Sequence, residues 1–235
     1  MWLSSSADTT APYRLAFAVL LLPVAGNLSL VLYARRRYPQ PEQLASREVT
    51  TPSLGRGALT GTLVASCLLA LGFCDWALVA YHALERHVLT GESIALLYAV
   101  VMGVDAAAAL IFGRLFDRVG MRALALSSLI GAGLAPLVFL APSAPLLIAG
   151  AVLWGIGMGA QDSILKAAIA TAVPKAARAR AYGVFFSVFG VAWWAGSSAM
   201  GWLYERSIPA LVALSVVAQL AAALAFLVLA RRRVK

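Results

Sequence analysis

The sequence predicts an all-α polytopic membrane protein with seven transmembrane helices, and three observations predict it. Of 235 residues, 62% are hydrophobic and 12% charged, with a mean hydropathy of +0.86; soluble domains run roughly 45–50% apolar and about 25% charged. The apolar residues gather into seven stretches of about 20, the length a helix needs to cross hydrocarbon. The basic residues gather at alternate ends of those stretches. Disorder is excluded by the hydrophobicity. A net charge of +9 in so apolar a chain belongs to membrane-flanking loops and not to nucleic-acid binding.

In chain order, residues 1–14 are an external tail and 15–34 the first span. No basic cluster precedes that span and Arg35-Arg36-Arg37 follow it, the reverse of a secretory signal. Pro23, Gly26 and Asn27 interrupt its helical pattern. Residues 35–56 form a linker holding Pro39, Pro41 and Pro52. Spans at 58–84, 93–113 and 122–141 make one three-helix unit, 57–141, and spans at 145–166, 181–203 and 209–230 make a second, 142–230. Residues 231–235 are a basic tail. With the N-terminus outside, 16 of the 19 basic residues fall in inner segments, and Arg14, Arg86 and Arg206 fall outside. The linker and tail are therefore read as cytoplasmic, in the cytoplasmic membrane of a cell. Arginine far outnumbers lysine and alanine is abundant, the usage of a GC-rich prokaryote.

The two units resemble each other. Gly113-Arg114-Leu115-Phe116-Asp117-Arg118 follows the third span and Gly201-Trp202-Leu203-Tyr204-Glu205-Arg206 the sixth, an offset of 88 that also aligns Ala125-Leu126-Ser127 with Ala213-Leu214-Ser215. The first copy lies inside and the second outside. Two three-helix units of opposite orientation form an inverted repeat, an arrangement of secondary transporters. The run from Gly113 to Arg122 also resembles the loop signature of the major facilitator superfamily, G-x-x-x-D-R-x-G-[RK]-[RK], departing from it at Met121. The resemblance covers nearly the whole chain and implies helices six to twelve of a twelve-helix transporter, with the last six as a 3+3 half-bundle. It implies that Gly113, Asp117, Arg118, Gly120 and Arg122 form a cytoplasmic gate whose ion pairs make and break between states. It also implies a missing N-terminal half, or a second copy, as the other wall. Gly120 suits a turn of positive φ, and Asp117, at a helix C-terminus, needs a nearby cation.

Asp75 and Asp105 lie within spans, about 6 Å outward and about 3 Å inward of the midpoints of their stretches. An unpaired carboxylate at such depth must face a cavity, a partner or a solute. Both are candidates to hold a proton or substrate, and His82, seven residues after Asp75 on the same face, extends that path outward. Asp162 and Lys166 read as a structural i,i+4 pair near the inner end of their span. Small residues at Ala151, Gly155 and Gly159, and at Ala192, Gly196, Ser197 and Gly201, predict close helix packing. Tyr182, Phe186, Phe189 and Trp193 follow helical spacing, a pattern of packing or of an aromatic path, and Trp193 and Trp194 face different ways. Cys67 and Cys74 lie about 10 Å apart on a helix, too far for a disulfide, and no metal or cofactor motif is present.

The expected function is transport of a small solute by alternating access, with protons as a candidate coupling ion, and not enzymatic catalysis: no Ser-His, paired-Asp or metal set surrounds the deep acids. The alternatives are a non-transporting seven-helix receptor or scaffold, and an inactive truncated remnant. A retinal protein needs a lysine in its last span, and 209–230 has none. Expected partners are the lipid bilayer, a small molecule and the second wall.

Overall fold

The computed structural model describes residues 11–38, 56–140, 143–174 and 177–232. These form nine helices and no strand: α1 (Ala11–Arg37), α2 (Arg56–Gly72), α3 (Trp76–Glu85), α4 (Gly91–Val119), α5 (Arg122–Ala132), α6 (Leu134–Phe139), α7 (Ala144–Ala172), α8 (Arg178–Tyr204) and α9 (Ile208–Arg232). They fall into two units, Met1–Thr50 and Thr51–Lys235. The tail and most of the linker expected from the sequence lie outside the described residues.

The first unit contains α1, which covers the first expected span. Pro23 interrupts its hydrogen-bond ladder, and the Ser29 hydroxyl donates to the Ala25 carbonyl at 2.7 Å. Arg35, Arg36 and Arg37 close its last turn, where cations suit the exposed carbonyls. Every side chain described on it is exposed, leucines and valines included. A helix so apolar and so bare needs lipid or protein around it.

The second unit holds six spans, each long and apolar enough to cross a membrane. The first is broken: α2 stops at Gly72, and Asp75 takes extended backbone as the N-cap of α3. Two freed carbonyls meet donors from distant helices. Gly72 accepts from the Ser215 hydroxyl at 2.7 Å, and Cys74 from the Trp154 indole at 2.9 Å. Such a break survives in hydrocarbon only where protein satisfies it. The third span kinks at Gly133, three residues before Pro136, and so divides into α5 and α6. Helices α4 and α7 run six residues past their expected ends, to Val119 and Ala172. Gly120 at φ +60° stops α4, as its position in the motif predicts.

Packing follows a two-fold rule. Exchange α2/α3 with α7, α4 with α8, and α5/α6 with α9, and the principal helix contacts map onto one another: α4 on α7 onto α8 on α2, α2 on α9 onto α7 on α5 and α6, and α5/α6 on α9 onto itself. The closest crossings keep the sequence offset. A Cβ at Gly159 would strike the α4 backbone between Asp105 and Ala109, and one at Gly196 would strike the α2 backbone at Leu71. The offset of 88 equates Leu71 with Gly159 and Ala108 with Gly196. Such backbone approaches need glycine, and they are how helices associate where lipid supplies no hydrophobic drive.

The repeated motif has a structural reading as well. Its aromatic turns inward in both copies: Phe116 is buried in one core cluster and Tyr204 packs against the other. Its acid and arginine turn outward in both, as Asp117, Arg118, Glu205 and Arg206 are all exposed. The chain is thus an all-helical, multi-pass membrane protein whose last six spans form two matching halves.

Candidate functional site

Asp105 is the middle residue of the 29 in α4. Its backbone lies against Gly159 of α7, and its Oδ1 is buried without a hydrogen-bond partner. Asp162, three residues after Gly159, is one turn further along α7 on nearly the same face. Lys166 Nζ lies 3.6 Å from Asp162 Oδ1, so the expected i,i+4 pair forms. Asp105 lies within the fields of both Asp162 and Lys166.

The span expected at 145–166 closes on Lys166. The hydropathic stretch ends there, but the helix continues six residues to Ala172. Lys166 is eight residues past the middle of α7, about 12 Å along the helix from its midpoint. Both members of the pair are more than half exposed, at 59% and 55%. The described residues leave this flank of α4 and α7 uncovered.

Asp75 and His82 are placed elsewhere. Asp75 is half-buried at the α2–α3 break and makes no side-chain cap bond. His82 is buried on α3 and its Nδ1 lies 2.9 Å from the Tyr204 hydroxyl of α8. Its ring also meets Phe139 of α6 edge-on at 5.0 Å. Among the described residues, no hydrogen bond or ion pair links either residue to Asp105. Sequence reasoning missed Tyr204 as a partner, since only the fold brings positions 82 and 204 together.

The motif residues sit at the opposite end. Gly113 is on the second-last turn of α4, Asp117 and Arg118 on its last, and Arg122 opens α5. Asp117, Arg118 and Arg122 are exposed and, among the described residues, make no ion pair with one another.

The four aromatics read along α8 are part of a longer series. Tyr182 stacks on Phe186, Phe186 meets Phe189, and Phe189 meets Trp193 at 5.9 Å. Trp193 then reaches Phe73 at the α2–α3 break at 5.5 Å, and Phe73 reaches Trp154 of α7 at 6.0 Å. Trp76 joins Trp154 at 5.4 Å and Tyr98 of α4 at 5.0 Å. A continuous row of rings therefore runs from the first turns of α8 to the N-terminal half of α4. Trp194 is 69% exposed and takes no part, as the opposite facing of the tryptophan pair predicts. A separate apolar pocket of about 500 Å³ lies between α2 and α8 beside Phe185, with Arg180 its charged lining residue. No group of three or more His, Cys, Asp or Glu side chains able to hold a metal occurs among the described residues.

Known proteins place this arrangement. The chain is 33% identical over 223 residues to an uncharacterized protein of Mycobacterium tuberculosis, and equally so to one of Mycobacterium bovis. These matches cover 92% of this chain and 54% of each relative, so the chain spans about half the length of the curated relatives it matches. No solved structure matches it. The sequence profile of the Major Facilitator Superfamily matches residues 54–235, the same six spans that the two-fold packing relates. The chain belongs to the Major Facilitator Superfamily, a family of membrane transporters and not of enzymes.

Proposed function

We propose that this chain forms one wall of a secondary transporter that moves a small solute by alternating access. The observation that carries the reading is the group Asp105, Asp162 and Lys166: three ionizable side chains from two candidate spans, Asp105 at the middle of α4 and the pair one to two turns past the middle of α7, on a flank the described residues leave uncovered. Charges at such depth are costly unless they serve a pathway or a bound solute. The second wall comes from a further six-helix half or a second copy of this chain, since the family's halves are related by an axis along the membrane normal.

Within this reading Asp105 holds the solute or a coupling proton, and Asp75 and His82 continue the path outward. Gly113, Asp117, Arg118, Gly120 and Arg122 form the cytoplasmic gate, with the free Asp117 carboxylate seeking its cation in the closed state. Positive-inside counting sets the N-terminus outside and the C-terminus in the cytoplasm. Uptake into proteoliposomes, measured for a panel of solutes with and without an imposed pH gradient, tests the assignment. Asp105→Asn is expected to lower uptake at least tenfold at unchanged protein content, and Asp117→Asn to shift the balance of inward and outward accessibility. Uptake indifferent to Asp105→Asn removes the carboxylate from the mechanism.

A further inference from the structure

The transport reading leaves unused the apolar pocket between α2 and α8, and the two-fold counterpart of that pocket shows that the fold does not require it. In the first two turns of α2, Leu59 and Leu63 are half-buried beside the pocket. Their equivalents at the offset of 88, Leu147 and Ala151 of α7, are fully buried. The cause lies one turn toward the helix N-termini from the crossings at Gly159 and Gly196. There α7 has Gly155, where a Cβ would stand 2.7 Å from the Val101 carbonyl oxygen of α4. The equivalent pair is Cys67 on α2 and Phe189 on α8. Two side chains replace a bare backbone approach, so α2 and α8 part toward their N-termini. The gap left is about 500 Å³, within the range of about 300–1,000 Å³ for small-molecule sites.

The pocket also straddles a boundary. Arg180 immediately precedes the apolar run 181–203; it is exposed and lines the pocket's edge. Val184 and Phe185 line it one turn further on, and Phe185 belongs to the buried core. Apart from Arg180 and Thr60 the lining is apolar. Among the described residues Arg180 makes no ion pair, and Arg178, two positions earlier, donates through Nε to the Val173 carbonyl at 3.3 Å. The repeat-equivalent of Arg180 is Glu92, so the cation at this boundary is not imposed by the repeat. A basic rim on a pocket between spans fits an anionic headgroup, and the apolar walls behind it fit an acyl chain. A soluble anion would leave those walls uncovered. An uncharged hydrocarbon would leave the guanidinium without a counter-charge.

We propose that the α2–α8 pocket binds one anionic phospholipid, with an acyl chain between Leu63 and Phe185 and the phosphate on Arg180. The assignment concerns the bundle in its bilayer and holds whether or not the chain moves a solute. The full chain, purified in a mild detergent, is titrated with phosphatidylglycerol and, separately, with phosphatidylcholine of identical acyl chains. Bound lipid is counted by native mass spectrometry. Glycerol phosphate, which carries the anion without the chains, serves as a competitor.

The tightest site should prefer phosphatidylglycerol by about fivefold, the contribution of one basic side chain beside an anionic head. Arg180→Gln should erase that preference and Arg180→Lys should keep it. Arg114→Gln, which removes an exposed charge outside the pocket, should leave it unchanged. Ala181→Phe, which fills the pocket, should weaken both lipids. Val184→Trp, at a lining position already 54% exposed, repeats the block should Ala181→Phe fold poorly. Glycerol phosphate should not displace the lipid. The proposal is overturned if the wild type binds the two lipids equally. It is also overturned if Arg180→Gln, melting like the wild type, keeps the preference, or if both pocket-filling variants bind lipid as the wild type does, since the lipid would then be annular. Displacement by glycerol phosphate would overturn the lipid in favour of a free anion.

Discussion

Replacing Gly159 with alanine adds one methyl at the tightest contact between α4 and α7. That carbon would fall on the carbonyl oxygen of Asp105, 2.8 Å from the amide nitrogen of Ala109 and 3.0 Å from the Asp105 carbonyl carbon. All three are backbone atoms, so no rotamer change can clear them, and the helices must part by about 1 Å to reach ordinary contact distance. Overpacking of this kind costs about 1–3 kcal/mol. Alanine's better helix propensity returns about 0.5–1 kcal/mol. Gly103→Ala and Gly183→Ala supply the control, because both residues are helical and neither has an atom within 4 Å of the added carbon. They should keep the propensity gain without the clash. At roughly 2–4 °C per kcal/mol for a protein of this size, Gly159→Ala should melt several degrees below the wild type and the controls slightly above it. The assay heats detergent-solubilised protein in steps and measures the monodisperse fraction left by size-exclusion chromatography. If Gly159→Ala melted with Gly103→Ala, the backbone contact would not exist as described.

Gly196→Ala should fall by a similar amount, since its added carbon strikes the Leu71 carbonyl and lies 2.7 Å from the Leu71 Cα; Gly190→Ala, with open space around it, is its control in the same melting assay. Trp154→Phe keeps a ring but removes the donor to the Cys74 carbonyl, and the orphaned acceptor at the helix break should cost about 1–3 kcal/mol; a variant as stable as the wild type would mean another donor meets that carbonyl. His82→Phe and Tyr204→Phe, made singly and together, should show a coupling of about 1 kcal/mol in a double-mutant cycle, the worth of one part-buried hydrogen bond; simple additivity would leave the two rings merely adjacent.

The number and order of spans were legible because hydropathy is local: twenty apolar residues declare a span whatever they touch. The break in the second span was not. Gly72 and Asp75 permit it, but it persists because Ser215 and Trp154, 143 and 80 positions away, meet the freed carbonyls. The end of α7 was placed six residues short because a charge ends a hydropathic stretch, while the backbone ladder runs on to Ala172. Asp105 was found as a deep acid, yet its company was not, since Gly159 sets the approach of α7 and a glycine names no partner. Helical spacing revealed four rings on α8. The turn of the row at Phe73 onto α7, α3 and α4 is tertiary and has no period in the sequence.

The inverted repeat explains both why the fold shows through and why the site does not. At the offset of 88, Leu71 pairs with Gly159 and Ala108 with Gly196, so each equivalent crossing has one glycine and both glycines lie in the second three-helix repeat. A crossing needs one partner without a side chain, and the other partner is then free to vary. The candidate-site residues diverge completely under the same rule: Asp105 pairs with Trp193, Asp162 with Cys74, Lys166 with Leu78, and Phe73 with Gln161. Symmetry alone would place a second carboxylate at 193, where the chain has the ring that joins the α8 aromatics to the helix break. At this matching position one repeat thus carries a charge while the other carries a ring. A bundle that kept the symmetry at mid-span would hold like charges in like places; the loss of equivalence there, beside its retention at the crossings, separates the candidate site from the frame that holds it.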